Sequence, residues 1–234
     1  MVDMATVHAF SAELHGGFLT LAFIGILGTA LCQIVIWIRE SLPKFMSRWA
    51  IKSRGYLDAT AYVATIAGVL ALFFSAYTGS NSWPIDALVD NSAIRNKITL
   101  TVFATVLWSG VLIIRWRFGR SLWTCPPVAA LYTIAALVAM SLTGLAGSLG
   151  AHLTKGGSIL DFVWQFTGIN ILNDILINQT LALIIIIASI FVILAVLIIN
   201  RLSGISKEQL GPRKCTKWSK WDEPTTGEEG QAKK

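Results

Sequence analysis

Charge is scarce in this chain. Only 14% of its 234 residues are Asp, Glu, Lys or Arg, whereas a soluble domain of similar size carries about 25%. The scarcity is uneven: in the long apolar runs described below, Gln33 is the strongest polar group, and Asp58 and Glu13 sit at run ends. An ionised side chain at the centre of a bilayer costs several kcal/mol and persists only where function demands it. A proton relay, an ion pathway or a voltage sensor therefore lacks its usual residues. No internal repeat of useful period is visible either, and inverted repeats are the commonest mark of a transporter. Cysteine is almost as scarce. Cys32, Cys125 and Cys215 show no metal-ligand spacing and map to what is expected to be the cytoplasmic side, so structural disulfides are not expected. The segment from Met1 to Leu14 has no Lys or Arg, which excludes the positive start of a signal peptide, and Val2 stands where N-myristoylation needs glycine.

What is present is apolar and clustered. Residues of the hydrophobic set make up 54% of the chain, and the mean hydropathy is +0.64. A spanning helix needs roughly 20 mostly apolar residues, since each advances about 1.5 Å through a hydrocarbon core about 30 Å thick. Five runs qualify: Gly17 to Ile38, Ala59 to Thr78, Ile98 to Ile114, Val128 to Gly150 and Leu181 to Ile199. The last contains Ile184, Ile185, Ile186 and Ile187 in succession. Such a β-branched run suggests a strand in water, but in lipid only helices and closed barrels satisfy the backbone internally, and barrel strands are far shorter. The expected fold is an all-α integral membrane protein with five transmembrane helices, four in an antiparallel bundle and a fifth C-terminal span.

Sixteen of the 19 basic residues follow the first, third and fifth runs, and only Arg95, Lys97 and Lys155 fall on the opposite side. By the positive-inside rule this places the chain as a multi-pass protein of the plasma membrane, N-terminus outside and C-terminus cytoplasmic. The net charge of +6 is thus a signal of topology, and no basic residues interleave with aromatics on a soluble module as nucleic-acid binding requires.

Along the chain, residues 1–16 read as an outer helical extension, because Val7, Phe10, Leu14, Phe18 and Leu21 recur at helical steps from about Thr6 onward. Residues 17–157 form the four-helix membrane bundle. The stretch from Arg39 to Leu57, with Pro43, Phe45, Trp49 and Tyr56, reads as an interfacial segment, and Trp83-Pro84 as an aromatic anchor in a loop. Residues 158–178 are apolar but interrupted by Asp161, Gln165, Asn170, Asn173 and Asp174, which suits a segment lying in the outer interface. Residues 179–201 are the fifth span, and residues 202–234 a basic cytoplasmic tail expected to be disordered.

The candidates for chemistry are the three histidines, His8, His15 and His152, all expected on the outer side. On a continuous helix His8 and His15 share a face about 10 Å apart along the axis. His152 closes the fourth run at a depth similar to His15. Two imidazoles on different helices at one depth can be axial ligands to haem iron or can bind copper or zinc. Gly144, Gly147 and Gly150 on the fourth run, with Gly16, Gly17, Gly25 and Gly28 on the first, allow either close helix packing or the approach of a flat macrocycle. An ordinary interfacial imidazole and ordinary packing are the plain alternatives.

Leu14-His15-Gly16 opening the first run, Leu142-Thr143-Gly144 within the fourth and Gly150-Ala151-His152-Leu153 after it resemble a family of uncharacterised four-helix predicted membrane proteins of bacteria and archaea. The family has histidines at the outer end of its first helix and a Thr-Gly-rich close to its fourth. The arrangement, from Thr6 to Gly157, is also similar in outline to four-helix b-type cytochromes. This chain departs from them in having no histidine near the cytoplasmic face, where a second haem would need one.

Three expectations follow. The first is a haem b-bearing subunit of a membrane oxidoreductase, with His15 and His152 as axial ligands, His8 as substitute or neighbour, and Gly144 and Gly147 beside the macrocycle. The second is a non-catalytic subunit of a respiratory oxidoreductase or a copper-dependent membrane oxygenase, in contact with the lipid bilayer and other membrane subunits. The third is outer-face copper or zinc bound by His8, His15 and His152. In none does the chain catalyse a reaction alone: the cysteines lie opposite every histidine, and no Ser-His-Asp arrangement is apparent.

Overall fold

The structure, a computed structural model, describes residues 4–82, 86, 90–168, 170 and 177–202, with side chains described as far as Phe191. These residues are almost entirely helical. In chain order the helices are α1 (Met4–Trp37), α2 (Lys44–Ser82), α3 (Ser92–Phe118), α4 (Pro126–Lys155), the short α5 (Asp161–Thr167) and α6 (Gln179–Leu202). Short 3-10 helices follow α1 at Arg39–Ser41 and α3 at Gly119–Thr124.

Among the described residues, four helices are long and apolar enough to cross a membrane, within Thr6–Trp37, Lys44–Asn81, Ser92–Thr124 and Pro126–Lys155. At 1.5 Å per residue α1 to α4 run roughly 40–58 Å, longer than the hydrocarbon core. Of α6, only the shorter apolar stretch Gln179–Phe191 can be judged by its side chains.

The bundle is up-and-down. His8 and Thr78 meet at one end of the α1–α2 hairpin, and Gln33 and Arg54 at the other. Trp108 meets Thr143 across α3 and α4, Asp58 meets Arg115 across α2 and α3, and Glu13 meets Lys155 across α1 and α4. Among α1 to α4 every neighbouring pair is antiparallel. The segment leading into α6 docks on the first turn of α3, where Arg95 Nε donates to the Ile177 carbonyl and the Ile177 N–H donates to Asn96 Oδ1. Helix α6 then packs along α3.

The α1–α2 hairpin is the tightest contact, and glycine makes it so. A Cβ at Gly25 would lie 2.9 Å from Ala61 Cβ and 3.1 Å from the Leu57 carbonyl oxygen. These backbones touch because no side chain separates them. The core runs from Leu19, Ala22 and Ile26 on α1 through Leu72 on α2 to Trp108 and Val111 on α3 and Tyr132, Ala136 and Ala139 on α4. Hydroxyls inside it are satisfied by the preceding turn: Thr29 donates to Gly25, Thr65 to Ala61, Thr133 to Ala129 and Thr143 to Ala139, at 2.7–2.8 Å. In an apolar medium this local bonding removes the need for a partner helix.

Several expectations change. The stretch from Lys44 to Leu57 is not a separate interfacial segment but the opening of α2, which starts directly after Pro43, where proline's missing donor is harmless. Asp58 is consequently fourteen residues inside a helix, not at its end, and it is buried. Gly16-Gly17 leave α1 unbroken. Cys125 is disulfide-bonded, against the expectation for it, while Cys32 is free and buried. The expected anchor Trp83-Pro84, the polar residues Asn173 and Asp174, Cys215 and the tail beyond Leu202 lie outside the described residues.

Candidate functional site

The three histidines stand at one end of the bundle, each on a different local support. His8, in the second turn of α1, is half-buried against α2, with Nδ1 3.2 Å from Thr78 Oγ1. Ser11 Oγ lies 3.1 Å from the same hydroxyl and donates to the His8 carbonyl at 2.8 Å. Gly79 makes room for the ring: a Cβ there would lie 2.9 Å from His8 Cε1. His8 thus closes the top of the α1–α2 hairpin.

His15 sits two turns further along α1. Its Nδ1–H donates to the Ser11 carbonyl at 3.1 Å. That bond fixes the tautomer and leaves Nε2 as the ring atom with a free lone pair. Gly16 and Gly17 beside it have open space where a Cβ would stand.

His152 lies in the last turn of α4, and its Nε2–H donates to Asp161 Oδ1 at 2.8 Å. The same carboxylate accepts the Ser158 N–H on Oδ2 at 2.9 Å. These two donors hold the Asp161 carboxyl below the usual carboxylate range, the Ser158 N–H most strongly. Between the two residues the chain turns sharply at Gly156, whose φ of 74° is left-handed and favours glycine. Trp164 on α5 then donates from Nε1 to Ser148 Oγ at 2.8 Å, so the short helix is pinned to α4 twice. A carboxylate behind a histidine is the common way a protein orients an imidazole for ligation. Here it leaves Nδ1 for another partner.

The glycines divide. Gly25 and Gly28 pack against Leu57 and Ala61 of α2, and Gly150 against the Lys97 side chain, so helix contact accounts for them. Gly144 makes an ordinary contact with Leu160 at 3.5 Å. Gly147, like Gly16 and Gly17, faces open space. No three His, Cys, Asp or Glu residues among the described ones gather as a metal-binding group, so His8, His15 and His152 are not assembled into one three-ligand centre.

The opposite end holds a network that sequence reasoning missed. Arg115 of α3 makes a two-pronged ion pair with Asp58 of α2, Nε to Oδ1 at 2.9 Å and Nη2 to Oδ2 at 2.6 Å. Trp123 Nε1 donates to the same Oδ1 at 2.8 Å, and the Tyr62 ring lies 5.1 Å from the guanidinium carbon. Tyr132 of α4 meets Trp123 edge to face at 5.6 Å. Arg54 of α2 donates to the buried Gln33 of α1 at 2.6 Å. The signal was present in Asp58, the only acidic residue between Glu40 and Asp86, but it requires the long α2 to place it inside the bundle. Asp161 was likewise legible only as a polar interruption, because its pairing with His152 depends on the Gly156 turn.

No family model, curated protein or solved structure matches this chain.

Proposed function

We propose that the chain is a haem-bearing, non-catalytic subunit of a larger membrane redox complex, in which His15 and His152 at the histidine end would hold the haem iron. One observation carries the reading: each of these imidazoles has one ring nitrogen tied to a protein acceptor and the other left over, on helices α1 and α4 that pack together. The donor chemistry fits haem iron. Open space at Gly16, Gly17 and Gly147 suits a flat group against bare backbone. Bound there, haem supplies one-electron transfer near one membrane face. This chain offers no second histidine pair to carry the electron across.

The non-haem reading, a purely structural subunit, is favoured by a different observation. His8 on Thr78 and His152 on Asp161 also serve as ties that close the α1–α2 hairpin and dock α5. A redox difference spectrum with metal analysis of the purified chain decides. A b-type signal lost in His15→Ala and His152→Ala but retained in His8→Ala supports the haem. No haem absorbance in either redox state leaves the structural subunit, and copper or zinc without haem points to imidazole-bound metal.

Helix α6 is the fifth span in this reading. At 24 residues it extends roughly 36 Å, enough to cross. It brings the basic tail to the end that carries Arg39, Lys44, Arg48, Lys52, Arg54, Arg115, Arg117 and Arg120. That end is cytoplasmic by the positive-inside rule, in a plasma membrane. The disulfide at Cys125 weighs the other way, since disulfides persist in oxidising compartments. The basic residues, spread over two connections, outweigh a single bond.

A further inference from the structure

At the arginine end, a cleft of about 460 Å³ opens between α2 and the turn after α3, lined by Lys52, Gly55, Tyr56, Ala59 and Arg120. Lys52 and Arg120 converge on it from different elements. Neither makes an ion pair among the described residues, unlike Arg115, whose charge is met by Asp58. The cleft floor is Gly55, where an added Cβ would meet nothing within 4 Å. Tyr56 on α2 lines the cleft and is well exposed, as tyrosine is at the headgroup level of a membrane. Below the cleft, the same face of α2 continues through Ala59, Val63, Leu70 and Phe74, all exposed.

We infer that this cleft is a binding site for an anionic glycerophospholipid, with the headgroup phosphate between Lys52 and Arg120 and an acyl chain along the Ala59–Val63–Leu70 face of α2. The two cations supply charge complementarity where the long helices leave the apolar layer. Arg120 offers a planar fork suited to phosphate oxygens, and Lys52 a mobile point charge. Tyr56 fits beside the phosphate with its ring toward the glycerol region and its hydroxyl toward water. Alanine at 59, where α2 leaves the headgroup level, gives the chain room to turn down. A soluble anion would be held by the charges alone and would gain nothing from the apolar face beneath. The site is independent of the histidine end, so its failure would leave the haem reading untouched.

The test is native mass spectrometry of the full chain in detergent micelles supplemented with equal amounts of dioleoylphosphatidylglycerol and dioleoylphosphatidylcholine. The wild-type chain is expected to retain one phosphatidylglycerol with a preference on the order of thirtyfold, the scale set by two basic residues near a lipid surface. Lys52→Gln with Arg120→Gln is expected to abolish the preference. Lys44→Gln with Arg48→Gln removes the same charge from the same end outside the cleft and is expected to leave it intact. Gly55→Leu keeps both cations but fills the floor, and it is expected to lower retention. All five positions are exposed, and circular dichroism checks that each variant stays helical. Equal retention of the two lipids by the wild-type chain would overturn the proposal. Equal losses in the two double variants would do so as well, because they would show only a general attraction to a basic surface.

Discussion

Removing the Asp58 carboxylate would leave the Arg115 guanidinium buried without its partner. Losing one member of a buried pair costs about 3–5 kcal/mol, because the remaining charge cannot be rehydrated. Asp58→Ala is therefore expected to lower the midpoint of thermal unfolding in detergent sharply, whereas Asp58→Leu with Arg115→Met should cost far less. Equal destabilisation by the single and double variants would mean that Tyr62 and Trp123, not the ion pair, carry the contact. Gly25 offers a second residue-scale test. Valine there would drive atoms into Ala61 and the Leu57 carbonyl, and overpacking of this kind costs about 1–3 kcal/mol. Gly55→Ala meets open space and is expected to be neutral or to stabilise by up to about 1 kcal/mol through helix propensity. The sequence displayed both glycines alike. Only the facing helix distinguishes one that carries a contact from one that does not.

The docking of α5 should respond to pH. The Asp161 carboxyl is held below its ordinary value by the Ser158 N–H and by His152. A depressed carboxylate contributes stability that is complete above its unfolded value of about 3.9 and is lost as pH falls through the lower folded value. Amide protection in Asp161–Thr167, corrected for the intrinsic pH dependence of exchange, should thus hold from neutrality to about pH 5 and fall only below about pH 4. Asp161→Asn should give fast exchange at every pH. Unchanged protection in that variant would assign the docking of α5 to Trp164 and Ser148 instead. The existence of the four long helices was legible because each apolar run comes within a few residues of the length that the hydrocarbon core requires, or exceeds it. Their ends were not, since amphipathic turns such as Lys44 to Leu57 extend a helix into the interface where hydropathy no longer reports it. The histidines could be named from the sequence, but not their supports. Thr78 meets His8 only through the register of the hairpin, and Asp161 meets His152 only through the Gly156 turn.

For the whole molecule, the segregation of histidines to one end and most basic residues to the other makes orientation measurable. In a chain whose native cysteines are replaced by serine, Thr154→Cys is expected to react with an impermeant maleimide on intact cells, and Lys44→Cys only after lysis. A cysteine appended to the C-terminus should behave like Lys44→Cys if α6 crosses the membrane. If instead it reacts on intact cells, the chain has four spans and α6 stays with the histidine end.

The Asp58–Arg115 pair also has a consequence in time. The two residues are 57 positions apart, so Asp58 emerges during synthesis well before its guanidinium exists. At roughly 5–20 residues per second the interval is about 3–11 s. Throughout it, the α1–α2 hairpin can close over Gly25 and Gly28 but still carries an unmatched acid. Helix α3 thus does more than add a third wall. Its arrival supplies the partner for that buried acid, so integration of the first three helices is expected to be coupled.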